Sequence, residues 1–587
     1  MHDTIRLRTT FFLAIMLALG ACGTGFDAQQ AGERNAPAVA EPQPSGVQPP
    51  PRPASTAVLN DAAAQAVPAT VVRESEVMVT GSRIRADGVV PATDVVAFRG
   101  ATLNEKVPWL PPAENRENYA AFEDNGIRLA SETPVSTFSI DVDTGAYSNM
   151  RRFLNRGQLP PADAVRTEEL LNYFDYAYPR ADNGHPFSVY TEIAPSPFQA
   201  GRHLVHIGIQ ADVPAGARPA ANLVFLVDVS GSMQGPDKLD LLKTSLKLLT
   251  RQLQADDRIA LVVYAGASGV VLEPTPGNAH AQIEAALARL QAGGGTNGGA
   301  GIEQAYALAR QHFIDGGINR ILLATDGDFN VGISDFSALK ALVERERQSG
   351  IALSTLGFGG GNYNDHLLEQ LADAGNGNHA YIDTLNEARK VLVDELSATL
   401  QTVAADVKIQ LEFNPAVVSE YRLIGYENRM LAREDFNNDR VDAGEIGAGH
   451  SVTALYEISF VDSGAHSVDP LRYRTQDSTP GASVALANEL GWLKLRYKSP
   501  GTDSSVLLEQ PLVRSAVVDS VDSTTERFRF AAAVAGFGQL LRANQRLGAL
   551  DHDALLALAN AAKGNDPFGY RAEFINLVRT AQALGDN

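Results

Sequence analysis

Cysteine is almost missing from this chain, since Cys22 is the only one in 587 residues. A single cysteine excludes an internal disulfide and a zinc site built on cysteines. The sequence also lacks the motifs H-E-x-x-H, C-x-x-C and G-x-S-x-G, and its glycine-rich stretch lacks the Gly-Lys-Ser/Thr ending of a phosphate-binding loop. These absences argue against a zinc protease, a serine hydrolase and a nucleotide-binding protein, so no nucleotide is expected as a ligand.

Positive charge is scarce as well. Lys and Arg number 49 against 69 Asp and Glu, which gives a net charge of −20 and a pI near 5.0. Nucleic acid and anionic membrane surfaces are therefore not expected as partners through bulk electrostatics. The hydrophobic content of 44% is ample for buried cores, and a chain of this length suggests about four domains.

The N-terminal apolar stretch, residues 11–19, is too short to cross a bilayer comfortably. It follows Arg6 and Arg8 and precedes Leu-Gly-Ala-Cys22, which is the order of a bacterial export signal. The last four residues resemble a lipobox, which implies acylation of Cys22 and, because Gly23 follows, an outer-membrane lipoprotein. Membrane contact is then expected only through this anchor. An ordinary cleaved signal with an incidental cysteine is the alternative.

Five oxygen-bearing side chains lie next to apolar runs or within a glycine-rich stretch. Three alternate in a D-x-S-x-S turn directly after an apolar run, one lies in a glycine-rich stretch, and one follows a second apolar run. Alternate residues of a tight turn can point their oxygens at one spot, and hard dications such as Mg²⁺ take oxygen ligands. These candidate metal ligands are Asp228, Ser230, Ser232, Thr296 and Asp326.

The pattern D-x-S-x-S, then Thr, then Asp resembles the metal-ion-dependent adhesion site of von Willebrand factor type A domains. The resemblance implies that Asp228, both serines and Thr296 bind Mg²⁺, Mn²⁺ or Ca²⁺ directly or through water, and that Asp326 acts largely through water. It also implies that an Asp or Glu of a protein partner completes the coordination. Taken alone, the D-x-S-x-S run also suits an N-capped turn.

Strands alternate with amphipathic helices between residues 223 and 383, which predicts an α/β domain with a doubly wound, Rossmann-like parallel sheet. The predicted strands are 223–227, 259–264, 270–273, 320–324, 351–358 and 379–382. Asp228 and Asp326 then fall at the carboxyl ends of strands, where open parallel sheets bind ligands. β-like stretches flank this unit on both sides, so we expect it to be inserted into a β-sandwich-like domain.

From residue 137 to the C-terminus the chain resembles YfbK-type bacterial von Willebrand A lipoproteins, through Arg151-Arg152-Phe153-Leu154, Leu159-Pro160-Pro161 and the segment 435–450. The predicted organisation is a signal peptide (1–22), a disordered tether (23–104), an N-terminal α/β module (105–185), flanking strands (186–218), the von Willebrand factor type A domain (219–400), a β-rich domain (401–505) and a helical C-terminal region (506–587). The tether is rich in Ala, Pro, Gln and Ser and would span about 50 Å.

A second acidic segment resembles a calcium loop because acidic and amide oxygens alternate in it. Arg440 stands where an EF-hand loop requires glycine, and Ile446 stands where it requires glutamate. A solvated hairpin is therefore the alternative. The candidate second cation ligands are Asp435, Asn437, Asp439, Asp442 and Glu445.

Together these features predict a divalent-cation-dependent, protein-binding lipoprotein of the bacterial envelope that is not an enzyme. It would lie in the outer membrane, facing the periplasm or the cell surface. One alternative is a structural scaffold whose metal only stabilises its own fold. Another is a metal-dependent hydrolase, for which Asp326 is the main candidate general base.

Overall fold

The computed structural model describes residues 116–180, 184–327, 336–469, 486–548 and 550–585. The predicted signal peptide, Cys22 and the tether lie outside these residues. No helix in the described ranges is long and apolar enough to cross a membrane.

The sheets and helical layers of the described residues are built from the following strands and helices. The strands are β1 Arg128–Leu129, β2 Val135–Ser139, β3 Phe187–Pro195, β4 Arg202–Ala211, β5 Ala221–Asp228, β6 Arg258–Tyr264, β7 Ser268–Pro276, β8 Ile318–Thr325, β9 Ala352–Phe358, β10 His379–Ile382, β11 Thr402–Phe413, β12 Val418–Ile424, β13 Gly444–Gly447, β14 Ser451–Phe460, β15 Glu489–Lys498 and β16 Ser505–Val513. The helices are α1 Gly145–Asn155, α2 Thr167–Asn172, α3 Leu239–Thr250, α4 His280–Ala288, α5 Gly298–Gln311, α6 Phe336–Arg347, α7 Asp365–Ala374, α8 Leu385–Arg389, α9 Leu396–Leu400, α10 Glu526–Leu541, α11 His552–Ala561 and α12 Tyr570–Gly585.

The central sheet has the strand order β10-β9-β8-β5-β6-β7. Its strands pair in parallel except at one edge, where β7 is antiparallel to β6. The predicted doubly wound α/β domain is confirmed, and its sheet differs from the predicted parallel sheet only at the edge strand β7. Only residues 265–267 join β6 to β7, and so short a connection makes a hairpin, since parallel neighbours need a long crossover.

Helices cover both faces of the central sheet. On one face α3 buries Leu242, Leu246 and Leu249 completely against the sheet, because residues three and four apart share one side of a helix. On the other face α5, α6 and α7 pack against alternate residues of the same strands, such as Val224 and Leu226 in β5. The sheet is thus doubly wound.

Two antiparallel sheets form a sandwich around a second core. The first sandwich sheet has the order β1-β12-β14-β4-β3, and the second is built from β13-β11-β15-β16 with β2 also paired to β11. Aromatic rings pack across the gap between the sheets, for example Phe413 against Tyr421 with ring centroids 4.3 Å apart. The central domain leaves after β4 in one sheet and returns at β11 in the other, which confirms the predicted insertion.

The segment predicted as a separate N-terminal module (105–185) is instead divided among other layers. Its strands β1 and β2 join the two sandwich sheets by pairing with β12 and β11. Its helices α1 and α2 pack with the C-terminal helices. These pairings join residues more than 250 positions apart, so no local pattern reveals them.

The C-terminal helices form a layer over the outer face of the first sandwich sheet. Helix α10 is buried on all sides, with Phe530 and Phe537 fully inaccessible to solvent. Residue 506 was predicted to begin this helical region, but β16 continues to Val513 by pairing with β15. Strand β4 contributes to two cores, because successive side chains of a strand point to opposite faces of the sheet. Leu204 packs against the helices, and Val205 packs inside the sandwich.

Buried hydrogen bonds and ion pairs fix the inserted domain to the rest of the described chain. The hydroxyl of Ser148 in α1 donates to the carbonyl of Tyr381 in β10 at 2.6 Å. The Arg151 guanidinium pairs with Asp383 and Glu387, both at the end of β10 or just beyond it. Breaking such a buried pair by removing one partner typically costs about 3–5 kcal/mol. The edge strand of the central sheet is therefore held firmly, while the carboxyl edge carries the candidate site.

Candidate functional site

The first two predicted site residues lie where neighbouring parallel strands end. In the sheet β5 and β8 are adjacent, with Val227 opposite Ala324, so Asp228 and Asp326 emerge side by side. The Asp228 carboxylate accepts a hydrogen bond from the Ser230 amide at 2.8 Å on Oδ1. Its Oδ2 accepts one from the Thr325 hydroxyl at 2.7 Å. These bonds fix the turn that carries the two serines.

The serines connect the two carboxylates. Oγ of Ser230 lies 2.9 Å from Oγ of Ser232, and the Ser232 hydroxyl donates to Oδ1 of Asp326 at 3.3 Å. The structure therefore brings Asp228, both serines and Asp326 together.

The glycine-rich loop that carries Thr296 is bound to the same turn. The Gly231 amide donates to the Gly294 carbonyl at 3.0 Å, and the Gly293 amide donates to the Val229 carbonyl at 2.8 Å. Gly294 has a φ of +88°, a left-handed conformation that favours glycine. Thr296 is buried and stands just before α5, two residues after the Gly294 carbonyl that binds the turn.

Burial dominates the electrostatics of Asp228. Its side chain is completely inaccessible to solvent, and this burial, together with the nearby Asp326 charge, raises the pKa of Asp228 to about 6 in spite of its hydrogen bonds to Ser230 and Thr325. A buried carboxylate without a cation beside it is destabilised in its charged form. The site therefore favours a positive charge close to Asp228.

Lys238 is part of this site, although the sequence motif does not include it. Its ammonium donates to Oδ2 of Asp326 at 2.9 Å, to the Ser232 carbonyl at 3.0 Å and to Oδ1 of Asn362 at 2.8 Å. Asn362 also donates to Oδ2 of Asp326 at 2.9 Å. A lysine shortly after D-x-S-x-S was the available signal in the sequence, but nothing in its spacing indicated a contact with Asp326.

The loop that contains Asn362 is held in turn by the first described residues. The Arg116 amide donates to the Gly361 carbonyl at 2.7 Å, and the Gly361 amide donates to Oε1 of Glu117 at 2.7 Å. Burial acts to raise the pKa of Glu117, but the hydrogen bond and charge of Arg152 outweigh it, so that the pKa lies below its usual value. This segment, 116–118, fixes the Asn362 loop against the rim of the site.

The predicted second cation loop is not assembled in the structure. Lysine ammonium groups take its carbonyl oxygens, Lys408 bonding to those of Asp435 and Asn438 and Lys498 to that of Asp439. Within the described residues no group of three or more His, Cys, Asp or Glu is placed to hold a metal ion.

The side chains of this loop point to separate partners. Asn437 accepts from Arg496, Asp439 accepts from Ser505, Asp442 pairs with Arg347, and Asp435 accepts from the Ala432 amide. Glu445 lies within β13, where burial raises its pKa well above the usual value. The calcium-loop interpretation is therefore corrected to a loop that runs from a short 3-10 helix, Arg433–Asn437, into β13. The hairpin alternative does not fit either, because β13 pairs with β11.

A family model described as von Willebrand factor type A domain matches residues 222–395, so the central sheet and its helices form a domain of this class. A model described as von Willebrand factor matches residues 113–206, and one described as the C-terminal part of uncharacterized protein YfbK matches residues 398–584. The uncharacterized protein YfbK of Escherichia coli (strain K12) is 48% identical over 476 residues, which are 80% of this chain and 81% of that relative. The chain therefore belongs to the YfbK family.

More distant relatives share only part of the chain. The uncharacterized protein sll0103 of Synechocystis is 25% identical over 50% of this chain and 64% of its own length. Human inter-alpha-trypsin inhibitor heavy chain H3 is 24% identical over 40% of this chain and 28% of its own length. A solved structure described as von Willebrand factor type A from Catenulispora acidiphila covers 66% of this chain and 89% of that chain at 16% identity, with a TM-score of 0.38. Domains of this class commonly bind a divalent metal and mediate protein–protein contacts.

Proposed function

We propose that this protein is a divalent-cation-dependent, protein-binding lipoprotein of the bacterial envelope. The von Willebrand factor type A domain would hold Mg²⁺, Mn²⁺ or Ca²⁺ at Asp228, Ser230, Ser232, Thr296 and Asp326. A partner protein would complete the coordination with an Asp or Glu carboxylate. The role is adhesion or scaffolding rather than catalysis.

The observation that carries the proposal is the convergence of the two serine hydroxyls between two carboxylates at the carboxyl edge of the sheet. Ser230 and Ser232 are 2.9 Å apart, and Ser232 lies 3.3 Å from Asp326. These oxygens suit a hard dication, which prefers oxygen ligands. Because the hydroxyls are neutral, only two carboxylates balance the dication, and an external carboxylate is a natural further ligand.

The way the domain is held supports a binding role. Its edge strand is fixed by buried ion pairs such as Arg151 with Asp383. A binding site on a rigid scaffold loses less conformational entropy when a partner docks.

The hydrolase alternative has less support. Asp326, its candidate base, accepts hydrogen bonds from Lys238, Asn362 and Ser232. This arrangement favours a fixed carboxylate over one that takes up a proton from water during each turnover.

The metal test compares wild type with Asp228→Ala by titration calorimetry with Mg²⁺ and Mn²⁺. We expect binding in the wild type and none in the variant. Asp240→Ala is the matched control, because Asp240 is an exposed carboxylate in α3 of the same domain and should leave affinity unchanged. A wild-type protein that binds neither ion would refute the metal site.

The partner test uses envelope pull-downs with the same three proteins, each in Mg²⁺ and in EDTA. Proteins captured by wild type and by Asp240→Ala in Mg²⁺ should be lost in EDTA and in Asp228→Ala. Capture that persists in all conditions, together with a lower melting temperature in EDTA, would show that the protein is a structural scaffold whose metal only stabilises the fold.

Membrane attachment through Cys22 belongs to the same proposal. Arg6, Arg8, the apolar stretch 11–19 and the lipobox-like Leu-Gly-Ala-Cys22 support it, and Gly23 favours the outer membrane. Globomycin should block processing of the wild-type precursor, and Cys22→Ser should release the protein from the membrane fraction. Processing that proceeds unchanged in globomycin would contradict the anchor.

A further inference from the structure

Lys238 lies outside the five-residue motif, yet its ammonium contacts the core of the site. We propose that Lys238 is a positioning residue that sets the net charge of the cation site, and so selects an anionic oxygen over water as the external ligand. This inference rests on the proposed cation site and names what makes that site specific for an acid.

The ammonium is held in one place by three acceptors. Oδ2 of Asp326 is 2.9 Å away, the Ser232 carbonyl is 3.0 Å away and Oδ1 of Asn362 is 2.8 Å away. Three acceptors use all three N–H groups of a lysine. The side chain is only 11% exposed, so this is a built position and not a surface lysine that happens to lie nearby.

The surrounding backbone has a space shaped for this side chain. Gly359 has a φ of +69°, and a Cβ added there would lie 2.4 Å from both Cγ and Cε of Lys238. The Lys238 carbonyl also accepts the first hydrogen bond of α3, from the Leu242 amide at 2.9 Å. Glycine at position 359 and the start of α3 together direct the ammonium toward Asp326.

The consequence follows from charge. The motif supplies two carboxylates, Asp228 and Asp326, and three neutral hydroxyls, so a bound dication would leave the site neutral. Lys238 changes that sum to one positive charge. In a poorly solvated site a single unit charge strongly affects the binding of another. A site with a net positive charge favours a carboxylate oxygen over water in the external position more strongly than a neutral site does.

The same charge acts in the opposite direction on the cation itself. Lys238 repels a dication and already binds Oδ2 of Asp326, so it lowers the affinity of the site for the free ion. Removing the lysine charge should therefore tighten binding of the cation and weaken binding of the acid. A residue that only stabilised the fold would not shift the two affinities in opposite directions.

The test uses the full chain with Mn²⁺ as the probe cation and acetate as the probe acid. The central variant is Lys238→Gln, which keeps an N–H donor but carries no charge. Mn²⁺ affinity is measured by electron paramagnetic resonance. Acetate binding is measured by the fall in water proton relaxation as acetate displaces Mn²⁺-bound water, at constant ionic strength with chloride as the replaced anion.

We expect Mn²⁺ to bind Lys238→Gln about tenfold more tightly and acetate to bind its Mn²⁺ form about tenfold more weakly. Lys238→Arg, which keeps the charge, should resemble wild type more closely than Lys238→Gln does in both affinities. Lys247→Met is the matched control, because Lys247 lies further along α3 and should change neither affinity. If Lys238→Gln does not fold, Lys238→Met provides the same comparison.

Affinities in Lys238→Gln that are unchanged, or that shift in the same direction, would overturn the inference. Failure of the proposed function looks different, because wild type itself would then bind no Mn²⁺. Wild type that binds Mn²⁺ but shows no displacement of water by acetate would also overturn the role of Lys238, while leaving the metal site in place.

Discussion

The Asp228 loop and the segment 435–445 are both acidic loops, but their oxygens are arranged in opposite ways. In the Asp228 loop the oxygens face each other, with Ser230 and Ser232 only 2.9 Å apart. In the segment 435–445 each side chain turns to a partner of its own, as Asp442 does to Arg347. Lysine ammonium groups already occupy the carbonyl oxygens of that segment. The comparison therefore makes convergence of the oxygens, rather than the number of acids, the basis of the proposed cation site.

The two loops also differ in how far their carboxylates are buried. Asp228 is inaccessible to solvent, and burial raises its pKa to about 6. The Asp439 side chain is 38% exposed, and a hydrogen bond from Ser505 lowers its pKa. A carboxylate that is already satisfied gains little from a cation, whereas a buried one without a compensating charge gains much. We therefore propose the Asp228 loop, and not the segment 435–445, as the metal site.

The largest expected effect comes from removing the buried carboxylate. Asp228→Ala should weaken Mg²⁺ binding by more than 100-fold, since even partners outside the direct ligand set often contribute 10–100-fold to metal affinity. Calorimetric titration measures this change. Asp439→Ala is the matched change in the other loop, and a similar loss there would remove the distinction between them.

A smaller effect is expected from one hydroxyl. Thr296→Val replaces the hydroxyl by a methyl group of similar size, so Mn²⁺ affinity should fall about tenfold while one ligand is lost. The melting temperature in EDTA should stay close to that of wild type, which separates a ligand effect from a packing effect. Unchanged Mn²⁺ affinity would show that the glycine-rich loop does not supply a ligand.

Acid should weaken the site in a defined range. Because the pKa of Asp228 is raised to about 6, a proton competes with the metal below that pH, and ligands must be deprotonated to bind. Mg²⁺ affinity should be nearly constant above pH 7 and should fall about tenfold per pH unit below pH 6. Titrations from pH 5 to 8 test this, and constant affinity down to pH 5 would contradict it.

The smallest effects are expected at the other acidic loop. Ca²⁺ should leave the melting temperature of Asp228→Ala unchanged, because the basic side chains already satisfy the segment 435–445. Asp439→Ala itself should change the free energy of unfolding by about 1 kcal/mol or less, as is usual for partly exposed ion pairs. Stabilisation of Asp228→Ala by Ca²⁺, measured by thermal unfolding, would reinstate the second cation loop.

Local patterns account for what could be predicted. The strands and helices of the central domain were located because hydrophobic periodicity is a property of short windows. Asp228 and Asp326 could be placed together because parallel strands end at one edge of a sheet. The strand at 270–273 was predicted, but its antiparallel direction was not, although the short connection from β6 to β7 was the available signal.

Long-range pairing accounts for what could not be predicted. Strand β2 pairs with β11 across the whole inserted domain, and β16 extends the sandwich beyond the expected boundary at residue 505. The contact of Lys238 with Asp326 depends on Gly359, which leaves room for the lysine. Each of these results from packing between distant segments, which carries no local signature.

The sequence by itself determined the alternation of elements in the central domain and supplied its oxygen-bearing side chains, because both follow from residue type and spacing. Tertiary structure alone decided which acidic loop has converging oxygens, and that an ammonium stands beside Asp326. It also divided the N-terminal segment between a sandwich and a helical layer. These outcomes depend on burial and on neighbours brought together by folding, and neither is defined until the chain is packed.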